Sequence, residues 1–194
     1  MKRVLSALAF VLLVSRVSFA SPITFAGVIS GANENPATGS PGTGSAVVTY
    51  DSSAHLLTVD AAFSGLEANT TAAHIHCCIA PPGNTGVATT TPSFVGFPLG
   101  VTSGTFVSTL NLTLASSFNP AFITANGGTV SGAEAAFAAG LESDMTYFNI
   151  HTTAFPNGEV RAFLVAVPEP NSIVMALAGL SGLALMHRVR RRSS

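Results

Sequence analysis

Short segments in which apolar and polar residues alternate recur along this chain, and they limit its fold more than any other feature. The longest of them, residues 104–114, places Phe106 and Leu110 on one side and Thr105 and Thr109 on the other. Alternation with a period of two residues indicates a β-strand that buries one face. The other predicted strands are residues 23–30, 44–50, 56–63, 72–78, 145–152 and 158–165.

The segments between these strands are rich in glycine, proline and asparagine, which favour turns. Residues 132–143 are rich in alanine and glutamate and predict one short crossover helix, whereas residues 80–104 predict a long loop. The last two strands are predicted to pair around residues 155–158. Together these features predict an all-β domain, an antiparallel β-sandwich with at most one short helix.

The charges are distributed unevenly along the chain. Of the eight basic residues, only Arg161 lies away from the two ends, whereas all nine acidic residues lie between Glu34 and Glu169. With nine negative charges and one positive, the stretch between the basic ends has a net charge of −8. Nucleic acids require a basic surface, so we exclude DNA and RNA as partners.

Residues 1–20 predict a cleavable signal peptide. A basic start, Lys2 and Arg3, precedes an apolar segment at residues 4–14 that is too short to span a bilayer. Ser18 and Ala20 are the small residues that signal peptidase requires before its cleavage site. We predict cleavage after Ala20 and a mature domain of residues 21–167.

Residues 168–194 combine Pro168-Glu169-Pro170, an apolar run at 173–186 and an arginine cluster at 188–192, in that order. The run and the cluster predict a C-terminal membrane helix with cytoplasmic arginines. The whole pattern resembles a PEP-CTERM sorting signal. That resemblance implies a transient membrane anchor, cleavage near Pro168, Glu169 and Pro170 by an exosortase-like protease, delivery to the bacterial surface and an association with exopolysaccharide.

A second resemblance extends over residues 23–165. Its segments, in order, are ISGANENP (29–36), GTGSA (42–46), FSGL (63–66), TAAHIH (71–76) and YFNIHTTAFPNGEVR (147–161). In this order they are similar to the CHRD domain, named for chordin and common in exported bacterial proteins. The resemblance implies an immunoglobulin-like β-sandwich and no established biochemical activity. The family usually has glycine after His-Ile-His, whereas this chain has Cys77 and Cys78.

Histidines form the one candidate chemical site. His74 and His76 are two residues apart on a predicted strand, so both point to the same face. His151 would add a third imidazole if its strand paired with theirs, and such a set can hold zinc or copper. The alternative is a structural layer in which backbone groups satisfy the imidazoles. His55 is the only other histidine in the predicted mature domain.

The adjacent Cys77 and Cys78 admit several states. A disulfide between neighbouring residues strains the peptide that joins them, so geometry disfavours it, although export permits oxidation. A vicinal disulfide, intermolecular bridging, thiolate ligation of a metal beside His74 and His76, and small buried thiols all remain open.

Two hypotheses for the function follow. The sequence contains no nucleophile elbow, phosphate-binding loop or zinc-protease helix motif, so we predict that the protein is not an enzyme. The first hypothesis is a structural or adhesive module without a cofactor. It would reach the cell surface or the extracellular matrix through signal peptidase and the exosortase-like protease, and would contact exopolysaccharide or matrix proteins. The alternative is a metal-binding or redox module that holds zinc or copper with His74, His76 and His151.

Overall fold

Antiparallel strands form one curled sheet, a half-barrel, in the computed structural model, which describes residues 21–168. The strands are β1 (Ile23–Ser30), β2 (Thr43–Asp51), β3 (Leu56–Ser64), β4 (Thr70–Cys77), β5 (Gly104–Asn111), β6 (Thr146–Thr152), β7 (Val160–Phe163) and β8 (Val165–Ala166). Their order across the sheet is β4-β6-β7-β1-β2-β3-β5, and β8 pairs with β1. Each predicted strand overlaps one of these, which confirms a mostly β, antiparallel domain.

The arrangement differs from two separate packed sheets. Strand β1 pairs with β2 on one side, and on the other it pairs with β7 through Ser30 and Arg161 and with β8 through Phe25 and Ala166. Because β1 bridges the two groups of strands, hydrogen bonds join them all into a single sheet. The sheet curls around its own core, so it still buries one face as a sandwich would.

Two α-helices lie between β5 and β6, so the prediction of at most one short helix is wrong. The predicted helix is present as α2 (Val130–Glu142), where Thr129 caps the N-terminus. The additional helix is α1 (Pro120–Ala125), in which Asn119 accepts a hydrogen bond from the Ala121 backbone N–H. An asparagine cap followed by proline at the first helical position favours the start of a helix. A helix this short has no repeating apolar pattern from which the sequence could predict it.

The hydrophobic core lies between the inner face of the sheet and α2. The helix buries Ala133, Phe137 and Leu141, which are four residues apart and therefore share one face. The predicted loop before β5 also contributes, since its Phe94 and Phe97 are 3% and 5% exposed and contact other core phenylalanines. These aromatic rings anchor the loop against the sheet.

Within residues 21–168, no helix has both the length and the apolar character needed to cross a membrane. The predicted signal peptide, and all of the predicted sorting tail except Pro168, lie outside the described residues.

Candidate metal centre

The outer face of β4, β6 and β7 is polar, in contrast to the apolar inner face. Along β4, Ala73, Ile75 and Cys77 belong to the core, and the alternating His74 and His76 therefore point to the other side. The antiparallel register continues this face across β6 and β7. It pairs His74 with Asn149, His76 with Tyr147, and Asn149 with Arg161.

The structure brings His74, His76 and His151 together on this face. Each offers one ring nitrogen, and the three nitrogens lie within 4.8 Å of one another. The ring centroids of His74 and His151 are 5.1 Å apart, and those of His76 and His151 are 5.9 Å apart. The arrangement exists because β4 and β6 are hydrogen-bonded neighbours, which is the pairing that the metal hypothesis requires.

Each imidazole is held by a backbone carbonyl of a covering loop. The partners are Pro92 O for His74 Nε2 at 2.6 Å, Thr85 O for His76 Nδ1 at 2.8 Å, and Pro156 O for His151 Nδ1 at 2.9 Å. A carbonyl only accepts hydrogen bonds, so in each case the ring nitrogen carries the hydrogen. The opposite nitrogen of each neutral ring therefore holds a free lone pair.

These opposite nitrogens are buried and unpaired. His74 Nδ1, His76 Nε2 and His151 Nε2 have no hydrogen-bond partner among residues 21–168. Histidine ligands of metals commonly donate their second nitrogen to a carbonyl, which fixes the tautomer and the ring orientation. The three rings thus have the hydrogen-bonding pattern of metal ligands.

Burial keeps the three histidines in their neutral form. It lowers the pKa of His76 to about 4. The neighbouring histidines and Arg161 also lower this pKa, whereas the hydrogen bond to the Thr85 carbonyl raises it. Burial also lowers the pKa of His74 and of His151, against the carbonyl bonds that each ring makes. A neutral imidazole is the form that binds a metal ion.

A cleft of about 560 Å³ opens beside this cluster and reaches His76. Glu34, Asn149 and Gly158 also line it. A Cβ atom on Gly158 would lie 2.6 Å from Asn149 Oδ1 and 3.0 Å from Glu34 Oε1, so glycine keeps this part of the cleft open.

Arg161 stabilises the loops that cover the cluster. The side chain is fully buried, and its guanidinium donates to Asn33 O at 2.5 Å, to Asn84 Oδ1 at 3.1 Å and to two further loop carbonyls. Its Nε lies 3.5 Å from Glu34 Oε2. The guanidinium also lies 4.6 Å from the centroid of the Tyr147 ring, which in turn stacks on His76 at 4.7 Å. The side chain therefore connects the loops to the histidine cluster.

Glu34 is an acidic group in contact with this network. Burial raises its pKa to about 6, although the charge of Arg161 and a 2.6 Å hydrogen bond from Asn149 Nδ2 both act to lower it. Sequence reasoning missed Glu34 and Arg161 as parts of the site. Two sequence features could have identified them. Arg161 is the one cation of the central stretch, and both residues lie in segments of the CHRD resemblance.

The two cysteines do not join the histidines. Cys77 and Cys78 form a vicinal disulfide, contrary to the expectation from geometry, and both sulfurs face Ala136 of α2 on the core side. The thiolate-ligand, intermolecular and free-thiol alternatives therefore do not describe this structure. His55 is also separate, because its Nδ1 lies 2.9 Å from the Glu134 carboxylate at the β2–β3 turn.

The fold and this cluster define a class of protein: a curled antiparallel β domain with three converging histidines on its outer face. The family model for the CHRD domain matches residues 25–164, so the chain belongs to the CHRD family. The match confirms the resemblance predicted from the sequence. No curated protein and no solved structure matches the chain.

Proposed function

We propose that this protein is an exported surface module that binds one zinc or copper ion with His74, His76 and His151. Two observations carry the proposal. The three imidazoles each offer one ring nitrogen within 4.8 Å of the others, and each ring has one buried nitrogen with no partner among residues 21–168. Imidazole nitrogens suit both metals.

A purely structural role for the histidines fits the contacts less well. In a structural layer, both nitrogens of a buried ring would find partners, yet within residues 21–168 each of these rings has a partner on one nitrogen alone. Leaving a buried acceptor unpaired costs about 1–3 kcal/mol. A single metal ion would satisfy all three nitrogens at once.

The geometry needs a small adjustment to receive the ion. Ligand nitrogens at about 2.0–2.1 Å from a tetrahedral zinc lie roughly 3.3 Å apart. The histidine nitrogens, which lie within 4.8 Å of one another, would draw together by about an ångström or slightly more. We propose that rotations of the rings about their carbonyl hydrogen bonds provide this adjustment while the strands stay in place.

Metal content of the exported protein tests this proposal. After loading with zinc or copper and exhaustive dialysis, we expect one ion per chain by elemental analysis. The double variant His74→Ala/His76→Ala should retain none, whereas the control His55→Ala should retain the ion. A folded wild-type protein that loses all metal on dialysis, or a double variant that keeps it, would contradict the proposal.

Delivery to the surface is a second part of the proposal, and it rests on the sequence patterns of residues 1–20 and 168–194. We propose that signal peptidase cuts after Ala20, that the tail anchors the protein in the inner membrane, and that an exosortase-like protease cuts near Pro168-Glu169-Pro170. Mass spectrometry of the surface form should find Ser21 as the first residue and no peptide from residue 173 onward. A retained Met1 or an intact tail would refute the corresponding cleavage.

The predicted adhesive role also has a specific surface to test. The outer face of β1, β2, β3 and β5 carries a threonine row, with Oγ1 atoms 3.4 Å apart between Thr24 and Thr49 and 2.9 Å apart between Thr58 and Thr109. Hydroxyls on a sheet surface can exchange hydrogen bonds with sugars, so we propose exopolysaccharide as the partner of this face. Substituting Thr58 and Thr109 with alanine should weaken sedimentation with the producer's exopolysaccharide. Unchanged sedimentation would eliminate this face.

A further inference from the structure

A fourth unpaired atom lies on the same face as the histidine nitrogens. It is Asn149 Oδ1, which is buried and has no hydrogen-bond partner among residues 21–168. Asn149 is paired with His74 across β4 and β6, and it is two residues before His151 on β6. The amide orientation is set by its Nδ2, which donates to Glu34 Oε1 at 2.6 Å.

A metal bound by the three imidazole nitrogens would not give this atom a hydrogen bond. The carbonyl oxygen of an amide requires a hydrogen-bond donor, and the neighbouring histidine nitrogens present lone pairs. Unless Asn149 Oδ1 itself coordinates the ion, the donor comes from a ligand that is not part of the chain. The cleft that reaches both Asn149 and His76 provides its route.

From this we infer that the metal keeps one coordination position open toward the cleft, where Asn149 Oδ1 accepts a hydrogen bond from a protic oxygen ligand such as water or an alcohol. The inference rests on the metal site proposed above. Binding is a simple exchange in which one oxygen ligand leaves the ion and another enters, with no change in oxidation state.

The charges around the cleft do not favour an anionic ligand. Arg161 is fully buried and directs its N–H groups to loop oxygens, so it offers none to the cleft. Glu34 lines the cleft, and its carboxylate is paired with the Arg161 guanidinium, so this pair offers no net positive charge to an anion. A neutral ligand that donates a hydrogen bond fits this environment better than an aprotic anion.

Copper-loaded exported protein provides the test, with ¹⁷O-enriched water as the probe. Electron paramagnetic resonance should show broadening of the copper signal in enriched water, because the bound oxygen carries a nuclear spin. Azide is the contrasting ligand, since it is anionic and has no hydrogen to donate. We expect weak azide binding in the wild type and binding about tenfold tighter in Asn149→Leu, which removes the opposing acceptor.

Asn157→Leu is the matched control, because Asn157 lines the same cleft but is exposed. Its azide affinity should equal that of the wild type. Absence of ¹⁷O broadening in copper-loaded wild type would overturn the inference, since the coordination sphere would then be closed, with Asn149 Oδ1 itself as a ligand. Equal azide affinity in wild type and Asn149→Leu would overturn the assigned role of Asn149.

The wild-type measurement needs no variant, so the inference stays testable even if Asn149→Leu does not fold. Failure of the metal proposal can also be told apart from failure of this inference. In that case, the dialysed wild-type protein would contain no copper and give no copper signal in any water.

Discussion

The imidazoles of His74 and His151 meet with their ring centroids 5.1 Å apart and their planes at 70°, although one lies on β4 and the other on β6. Each ring is oriented by a carbonyl of a different loop, Pro92 O or Pro156 O. Their spacing is therefore set by strand pairing and by two loops that pack on the sheet. The strands and loops thus bring the rings together before the metal arrives, and an ion that binds only the folded chain should stabilise the fold.

Metal binding should raise the free energy of unfolding of the wild-type protein. An ion that binds only the folded state, at a free concentration 100-fold above its Kd, contributes about 2.7 kcal/mol. Thermal unfolding with and without zinc should therefore show a higher Tm, by several degrees, in zinc. His151→Ala should lose this shift and the control His55→Ala should keep it. An equal shift in His151→Ala would show that the ion binds elsewhere.

The metal-free protein should lose stability on acidification. The pKa of His76 is about 4 in the folded state, against the ordinary histidine value of 6.5 in an unfolded chain. The unfolded chain thus takes up the proton first, and stability falls as the pH drops from 6.5 toward 4. At pH 5 this one group accounts for a loss of about 2 kcal/mol. The lowered pKa values of His74 and His151 act in the same direction.

Glu34 opposes this trend over a narrower range. Its pKa is raised from 4.5 to about 6, so its contribution to stability is present below pH 4.5 and is lost as the pH rises through 6. Urea unfolding in the presence of a chelator, at pH 7.5 and at pH 5, measures the combined effect of the histidines and Glu34 on the free energy of unfolding. Glu34→Gln should enlarge the acid loss, and His76→Gln should reduce it. Equal stability of the wild type at both pH values would contradict the buried neutral histidines.

The strands and the common face of His74 and His76 could be predicted because their signals are local. Alternation within a segment identifies a strand, and the two-residue spacing of His74 and His76 puts them on one face whatever the rest of the fold does. The position of His151 beside them depends on the pairing of β4 with β6, which the sequence alone did not show. The family resemblance added the order of segments but no chemistry.

The rest of the site depends on contacts between distant parts of the chain. Arg161 reaches Glu34, and the loop carbonyls reach the imidazoles, only after β1, β6 and β7 have assembled. No periodicity encodes such a contact. The joining of the strands into one sheet was missed for a related reason, since β7 meets β1 through a single register pair, Ser30 with Arg161.

Replacement of Arg161 should destabilise the protein strongly. Arg161→Met leaves Glu34 without its charged partner and several loop oxygens without donors, and breaking a buried ion pair in this way costs about 3–5 kcal/mol. Arg161→Lys should not restore stability, because an ammonium group cannot reproduce the planar set of donors. Urea unfolding of the metal-free proteins measures both changes. A lysine variant as stable as the wild type would show that charge alone matters.

The disulfide between Cys77 and Cys78 should be independent of the metal centre. The protein unfolded without reductant should have no reactive thiols, and reduction should release two per chain, without any disulfide-linked dimer on a non-reducing gel.

Because both sulfurs face α2 on the core side, the double variant Cys77→Ala/Cys78→Ala should bind the same amount of metal as the wild type. Some loss of thermal stability is expected, since the sulfurs fill space against Gly140. Loss of the metal from a folded double variant would instead restore thiolate ligation beside His74 and His76, and the three-histidine site would have to be redrawn.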